Sequence, residues 1–270
     1  MKANWKIALM CFATVAFFAC KPQNAPDNQG GNGGNGGNGG NGGNGGNDGE
    51  DTEFVSKISV TDNSIADWDA VPAAFLAQAV CPEDGAYLGL KSVKVYADEL
   101  YINILAEYDP EEIPNHTSVP FHVYINTDNS DETGGYGDQW TDANVDIMME
   151  GFFFSAKEWD GETPLDEGAP CEYEPVIVPW TGEVGGTGWG WGAELVPAGV
   201  FVHSQHVGNC VELQMMRELI PSLVGWNETE FGIGFDIQQS WESVGILPLV
   251  SPTDENAAGH TNKLQVKIDK

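Results

Sequence analysis

The chain has 270 residues, with 41 acidic and 11 basic side chains and a formal net charge of −30. A negative charge of this size argues against nucleic acid and anionic lipid surfaces as partners, because both would repel the protein. Neutral glycans, cations and basic proteins are compatible with this charge as partners. The alternative is that the charge only keeps the protein soluble.

The first 19 residues have the pattern of a bacterial signal peptide. Lys2 and Lys6 flank the start of the leader, and the apolar run Ile7–Ala19 is too short to persist as a transmembrane helix. The sequence FFAC, followed by KPQN, resembles a loose lipobox, which implies that Cys20 becomes the lipidated first residue. Ordinary secretion with an incidental cysteine is the alternative. We expect a lipid-anchored envelope protein, in the outer membrane and facing the periplasm or the cell surface, that contacts the membrane only through its anchor.

Residues 20–49 contain a repeat of Gly-Gly-Asn triplets without apolar side chains. Such a segment has nothing to bury, so we predict a disordered linker. A Gly-rich chain of about 25 residues has a root-mean-square span of roughly 25–30 Å. The linker therefore holds the following domain clear of the lipid headgroups.

Residues 50–270 are predicted to form one domain that is almost entirely β-structure. FHVYIN and FGIGFDIQ alternate apolar and polar residues, which predicts half-buried strands, and KSVKVYADELYINILAEYD predicts a hairpin. VDIMMEGFFF, VELQMM and LQVKID predict further strands, while helical spacing is confined to short stretches such as VPAAFLAQA and RELIPSL. Many short strands without intervening helices favour an all-β, antiparallel β-sandwich with few short helices, of the immunoglobulin or jelly-roll type.

The order of several phrases resembles the carbohydrate-binding family 9-like β-sandwich. They are ISVTDNSIADWDAVP, SVKVYADELYINILAEYD, FHVYINTDNSDETGGY, NVDIMMEG, VELQMMRELIP and FGIGFDIQQSWESVGILP. The resemblance implies a lectin-like module that stacks sugar rings on tryptophan, with bound calcium in some members and haem in some relatives. It also implies that Trp68 is a structural core residue.

The stretch INTDNSDETGGYGDQW and the strand after it are rich in hard oxygen donors of the kind that Ca²⁺ prefers. The candidate ligands for a structural calcium are Asp128, Ser130, Asp131, Glu132, Asp138 and Asp146. The spacing departs from an EF-hand loop, because the glycine falls one place late and no Glu stands at the twelfth position. A solvated acidic loop is the alternative.

A sugar site needs a flat aromatic face and convergent polar groups. Trp180, Trp189 and Trp191 lie in the glycine-rich segment VPWTGEVGGTGWGWGAELV, and Trp140 lies beside the acidic loop. Glu183 and Glu194 are the candidate partners for sugar hydroxyls. We expect one of Trp189 and Trp191 to be exposed while the other belongs to the core. The alternative is that all these rings are core residues.

Other chemistry has weaker support in the sequence. No nucleophile motif or phosphate-binding loop is present, so we do not expect an enzyme. His203 and His206 are three residues apart, which is not the usual spacing of a helical metal pair. Export permits one disulfide among Cys81, Cys171 and Cys210, but the sequence leaves the pairing open. The expected function is non-catalytic glycan binding; the alternative is a structural or protein-interaction module of the envelope, with core tryptophans and no sugar ligand.

Overall fold

The structure is a computed structural model. It describes residues 56–85, 87–113, 119–135, 144–154, 168–186, 189–195, 202–217, 226–240, 242–249 and 263–270. The predicted signal peptide, Cys20, the linker and most of the segment RELIPSL lie outside these residues. Among the described residues, no helix is long and apolar enough to cross a membrane.

The described part of the chain forms eleven strands and one short 3-10 helix at Ala66–Ala70. The strands are β1 (Ala77–Val80), β2 (Leu90–Ala97), β3 (Tyr101–Tyr108), β4 (Pro120–Asn126), β5 (Ile147–Phe152), β6 (Val176–Pro179), β7 (Val202–Val207), β8 (Cys210–Met216), β9 (Glu230–Gln239), β10 (Glu242–Leu247) and β11 (Leu264–Lys267).

The strands form two antiparallel sheets. The five-stranded sheet has the order β1-β2-β3-β8-β7. The six-stranded sheet has the order β10-β9-β4-β5-β6, and β11 pairs with the first half of the long strand β9. The predicted all-β antiparallel sandwich is confirmed, and so is the predicted hairpin, which is formed by β2 and β3.

The main core lies between the two sheets and consists of every second residue of the central strands. Val93 and Val95 of β2 and Ile102 and Ile104 of β3 pack from one side. The other side supplies residues of β4, β5 and β9: Phe121, Val123, Ile125, Ile147, Met149, Phe231, Ile233, Phe235 and Ile237. This is the two-residue period of a pleated strand, so the apolar residues of the predicted strands are on the predicted common face.

The outer face of the five-stranded sheet is covered by the segment that precedes β1. Trp68 of this segment is 3% exposed, and its indole N–H donates a hydrogen bond to the buried carboxylate of Glu212, at 2.5 Å. Gln205 donates a second hydrogen bond to the same carboxylate. The core position of Trp68 is therefore confirmed. The segment VPAAFLAQA forms only a turn after Pro72, because Ala77–Val80 pairs with β2 instead.

The outer face of the six-stranded sheet is also covered, and here the prediction of half-buried strands was wrong. All seven residues of β4 are buried, and so are the eight central residues of β9. A second apolar cluster lies on this outer face and includes Tyr124, Met148 and Trp191. The polar residues at alternate positions, such as His122 and Asp236, are consequently inside the protein rather than in solvent.

Candidate functional site

Two loops that are far apart in sequence lie side by side at one end of the six-stranded sheet. The acidic loop (residues 127–135) follows β4, and the tryptophan loop (residues 180–195) follows β6. The amide of Gly185 donates a hydrogen bond to the carbonyl of Gly134, at 3.0 Å, and the amide of Trp180 donates to the carbonyl of Asp146, at 2.7 Å. The structure therefore combines the predicted calcium loop and the predicted sugar-binding loop into one surface.

The indole ring of Trp180 holds the two loops together. A methyl group added to Gly135 of the acidic loop would overlap this ring, and so would one added to Gly190 of the tryptophan loop. The indole N–H donates to the carbonyl of Glu183, at 3.0 Å. Trp180 is thus enclosed by the backbones of both loops, and its contacts assign it to the support of the site.

Trp191 continues the same packing toward the sheet. Its ring lies 5.2 Å from that of Trp180 in an edge-to-face arrangement and 6.1 Å from that of Tyr124. Only 8% of Trp191 is exposed. Little of its ring can face a ligand, so a direct stacking role has little support at this position.

Trp189 has the opposite environment, with 71% of the residue exposed. Val184 in the same loop is 60% exposed, and the carboxylates of Glu183 and Glu194 are also on the surface. The expected division between Trp189 and Trp191 agrees with this placement. The alternation of side chains along a strand does not explain why Trp189 is exposed and Trp191 is buried, because residues i and i+2 of a strand point to the same face. The two rings separate because Trp189 precedes the single bridge between Trp180 and Trp191 and belongs to no strand.

Two of the predicted calcium ligands, Asp128 and Asp146, accept hydrogen bonds from residues of the acidic loop. Asp128 accepts hydrogen bonds from the amide of Ser130 and the hydroxyl of Thr133, at 3.0 and 2.9 Å. Asp146 is buried and accepts from both the amide and the hydroxyl of Thr127, at 2.8 and 3.1 Å. Burial raises the pKa of Asp146, and the nearby charge of Asp128 raises it further, against the lowering effect of the Thr127 amide.

A lysine that the sequence analysis did not select lies beside this loop. Lys263, just before β11, packs its aliphatic chain over Gly232, and its ammonium lies 3.8 Å from the carboxylate of Asp131. Burial lowers the pKa of Lys263, while Asp131, Asp146 and Asp128 act in the opposite direction. The loop therefore has a cation of its own, supplied from a distant part of the chain.

The structure describes five of the six predicted calcium ligands, all except Asp138. Within the described residues, no group of three or more His, Cys, Asp or Glu side chains could hold a metal ion. Asp131 and Glu132 are exposed, Asp146 is directed to Thr127, and Asp138 lies outside the described residues, as does Trp140. The structural calcium therefore stays a prediction.

The histidines, methionines and cysteines considered in the sequence analysis lie in the following environments. His203 is exposed, and a ring nitrogen of His206 lies 3.1 Å from the carbonyl oxygen of Cys171. Met148, Met149 and Met215 are buried in the apolar clusters. Among the described residues, Cys81, Cys171 and Cys210 form no disulfide.

The comparisons with known proteins add no assignment. No family model matches the chain, and no curated protein or solved structure matches it either. The resemblance to the carbohydrate-binding family 9-like fold stays a prediction.

The first prediction concerns the enclosure of Trp180. Replacing Gly135 with alanine forces a methyl group into the indole ring, so we expect the free energy of unfolding to fall by about 1–3 kcal/mol, as for other overpacked sites. Urea denaturation measures this change. In a Trp180→Leu background the same substitution should cost much less, since the overlap is gone. An equal cost in both backgrounds would disprove the proposed contact.

The second prediction concerns the pH dependence of stability. Asp146 has a folded-state pKa above its ordinary value of 3.8, so the folded protein binds this proton more tightly than the unfolded chain does. Its contribution to stability therefore falls as the pH rises from about 4 through the raised pKa.

Asp146→Asn should reduce the loss of unfolding free energy between about pH 4 and about pH 7, measured by denaturation in the presence of a chelator. An amide oxygen at this position can still accept both hydrogen bonds from Thr127. Asp69→Asn, at an exposed position, is the matched control. A pH dependence that is the same in both variants would argue against the buried carboxyl group as its source.

Proposed function

We propose that this domain is a non-catalytic glycan-binding module, carried by an envelope lipoprotein that is anchored through Cys20. The observation that carries the proposal is the exposure of Trp189. A large aromatic side chain at 71% exposure is costly to leave in water without a function, since burying it would contribute about 1.5–3 kcal/mol. A flat, exposed indole is the surface on which the apolar C–H face of a pyranose ring stacks.

The surroundings of Trp189 support a binding surface. Its loop is fixed to the acidic loop through Trp180, and a site on a rigid support loses less conformational entropy when a ligand binds. Exposed carboxylates of both loops, including Glu183, Asp131 and Glu132, are available as hydrogen-bond acceptors for hydroxyl groups. The order of the sequence phrases resembles a carbohydrate-binding family and points in the same direction.

The same surface also supports a second candidate function, the binding of another protein. Trp189 and Val184 are both exposed in a loop that also carries exposed carboxylates, and this combination also suits a basic protein of the envelope. The two functions differ in the ligand that Trp189 contacts, and a direct titration separates them.

The third prediction is the titration itself. The full chain is titrated with a panel of neutral oligosaccharides while tryptophan fluorescence is followed. We expect a saturable change for at least one glycan, and Trp189→Ala should weaken its binding about tenfold or more, which corresponds to about 1.4 kcal/mol. Trp189→Phe should retain part of the affinity, because a ring remains for stacking.

The control for this titration is Trp226→Phe. Trp226 packs edge-to-face on Phe231 at 5.5 Å, within the sandwich and outside the tryptophan loop. This variant should bind as tightly as the unmodified chain. If no glycan binds, or if Trp189→Ala leaves the affinity unchanged, the glycan proposal fails, and the protein-interaction function takes its place.

The fourth prediction separates the acidic loop from calcium. Because Lys263 lies beside Asp131 and the hydroxyl of Thr133 donates a hydrogen bond to Asp128, we expect chelation to leave the melting temperature of the full chain unchanged within about 1 °C. Differential scanning calorimetry with added calcium and then with chelator measures this. A calcium-dependent rise of several degrees would restore the structural calcium of the sequence prediction, and loss of that rise in Asp128→Asn would locate the ion.

A further inference from the structure

The acidic loop and the tryptophan loop contain carboxylates and no basic side chain. Their sequences, TDNSDETGG and WTGEVGGTGWGWGAEL, have three and two acidic residues and no lysine, arginine or histidine. Between Lys94 and Arg217 the chain has a single lysine or arginine, Lys157. The two loops themselves therefore supply negative charge and no positive charge.

The backbone of the tryptophan loop brings Glu183 close to Trp189. The carbonyl of Gly190 accepts hydrogen bonds from the amides of Thr181 and Gly182, at 2.9 and 3.0 Å. Trp189 directly precedes Gly190, and Glu183 directly follows Gly182, so the two residues lie on opposite arms of the same narrow loop. Both residues are exposed, so a ligand on the indole ring also meets this carboxylate.

The acidic loop adds carboxylates from the neighbouring side. The amide of Gly185 donates a hydrogen bond to the carbonyl of Gly134, at 3.0 Å, which joins the tip of the tryptophan loop to the acidic loop. Glu132 comes two residues before Gly134 and is exposed, as is Asp131. The surface around Trp189 thus has carboxylates on two sides.

Most of these carboxylates are not neutralised within the part of the chain that the structure describes. Lys263 lies 3.8 Å from Asp131. No ion pair of the described residues includes Glu132, Glu183 or Glu194. A charge within about 8 Å of a ligand still acts on it at physiological ionic strength, because that is the screening length. The surface therefore attracts positively charged groups.

The chemistry of these groups favours one kind of sugar. Carboxylates accept hydrogen bonds but do not donate them, so the ligand must supply the protons. A protonated amine has three N–H donors and a positive charge, and the face of an indole ring also attracts it. An N-acetylated amine has lost the charge, and its carbonyl oxygen is an acceptor that carboxylates cannot satisfy.

We infer that the surface around Trp189 selects cationic amino sugars, of which unacetylated, protonated glucosamine is the simplest. This inference rests on the proposed glycan-binding function and adds the charge of the ligand to it. Trp189 provides the stacking surface, and the carboxylates of Glu183 and Glu132 determine the specificity. Neutral sugars bind to the same ring with lower affinity.

The test compares unbranched tetrasaccharides of glucosamine, N-acetylglucosamine and glucose that share one linkage and differ in the group on the second carbon. The full chain is titrated with each of them in slightly acidic buffer, while tryptophan fluorescence is followed. We expect the glucosamine compound to bind about tenfold more tightly than the neutral compounds, because exposed ion pairs and cation–π contacts are each weak. Raising the salt from about 0.01 M to about 1 M shortens the screening length from about 30 Å to about 3 Å and should remove most of this preference.

Carboxamide variants test the two glutamates. Glu183→Gln and Glu132→Gln together should reduce the preference for glucosamine about threefold or more, without changing the affinity for the N-acetylglucosamine compound. The hydrogen bond of Glu183 with Trp180 is made by its backbone carbonyl, so the substitution leaves this support of the loop in place. Glu83→Gln, at an exposed position between β1 and β2, is the matched control and should keep the full preference.

Two further controls separate specific binding from general attraction, because a net charge of −30 attracts any polycation. Trp189→Ala should weaken binding of the glucosamine compound about tenfold or more. A lysine tetrapeptide with blocked ends carries as many ammonium groups but no pyranose ring. It should bind more weakly than the glucosamine compound, since it lacks the face that stacks on the indole.

The inference and the proposed function fail on different results. If a neutral tetrasaccharide binds as tightly as the glucosamine compound, or if the preference survives in the double variant, the inference is overturned and glycan binding stands. If Trp189→Ala binds the glucosamine compound as well as the unmodified chain does, the attraction is general and the inference is again overturned. If no glycan binds, or if the lysine peptide binds at least as tightly as every sugar, the proposed function itself fails.

Discussion

The burial of β4 and of the centre of β9 on both faces is the constraint on which the rest of this structure depends. A strand in an antiparallel sandwich ordinarily packs one face on the core and leaves the other in solvent. Strand β4 is buried along its whole length, so its outer face must be covered by something other than the second sheet. Trp191 of the tryptophan loop contributes to that cover, because it packs on Tyr124 of β4 and joins Met148 of β5 in the second apolar cluster.

This cover determines how the two candidate loops are arranged. Trp191 packs on the sheet, Trp180 packs on Trp191, and the glycines of both loops pack on Trp180. The chain of contacts begins at the sheet and ends at the surface, where Trp189 is exposed. Trp180 and Trp191 are thus the internal support of the tryptophan loop, and only the exposed ring of Trp189 is available to a ligand.

The same double burial has an electrostatic consequence. Residues that alternate with the core positions of β4 and β9 include His122 and Asp236, and the cover removes them from water. Burial of a charge without a partner is unfavourable by several kcal/mol, so such residues are retained in a core only with compensation. The buried Asp146 interacts electrostatically with Lys263, which comes from the segment before β11. His122 and Asp236 have no lysine or arginine partner among the described residues, and burial raises the pKa of Asp236, which favours its neutral form.

The sequence by itself determined β2, β3, β4, β5, β8, β9 and β11, because the period of two residues is a local property of the chain. It indicated the all-β sandwich, the β2–β3 hairpin, the core position of Trp68 and the contrast between Trp189 and Trp191. Only the tertiary structure decided which loops meet, because the contact of Gly134 with Gly185 depends on the order of strands in the sheet. It also decided that β4 is buried on both faces, that Lys263 lies beside Asp131 and that His122 lies between two carboxylates. Those facts join residues more than 25 positions apart, and no local pattern of polarity specifies which distant side chain will cover or neutralise a given residue.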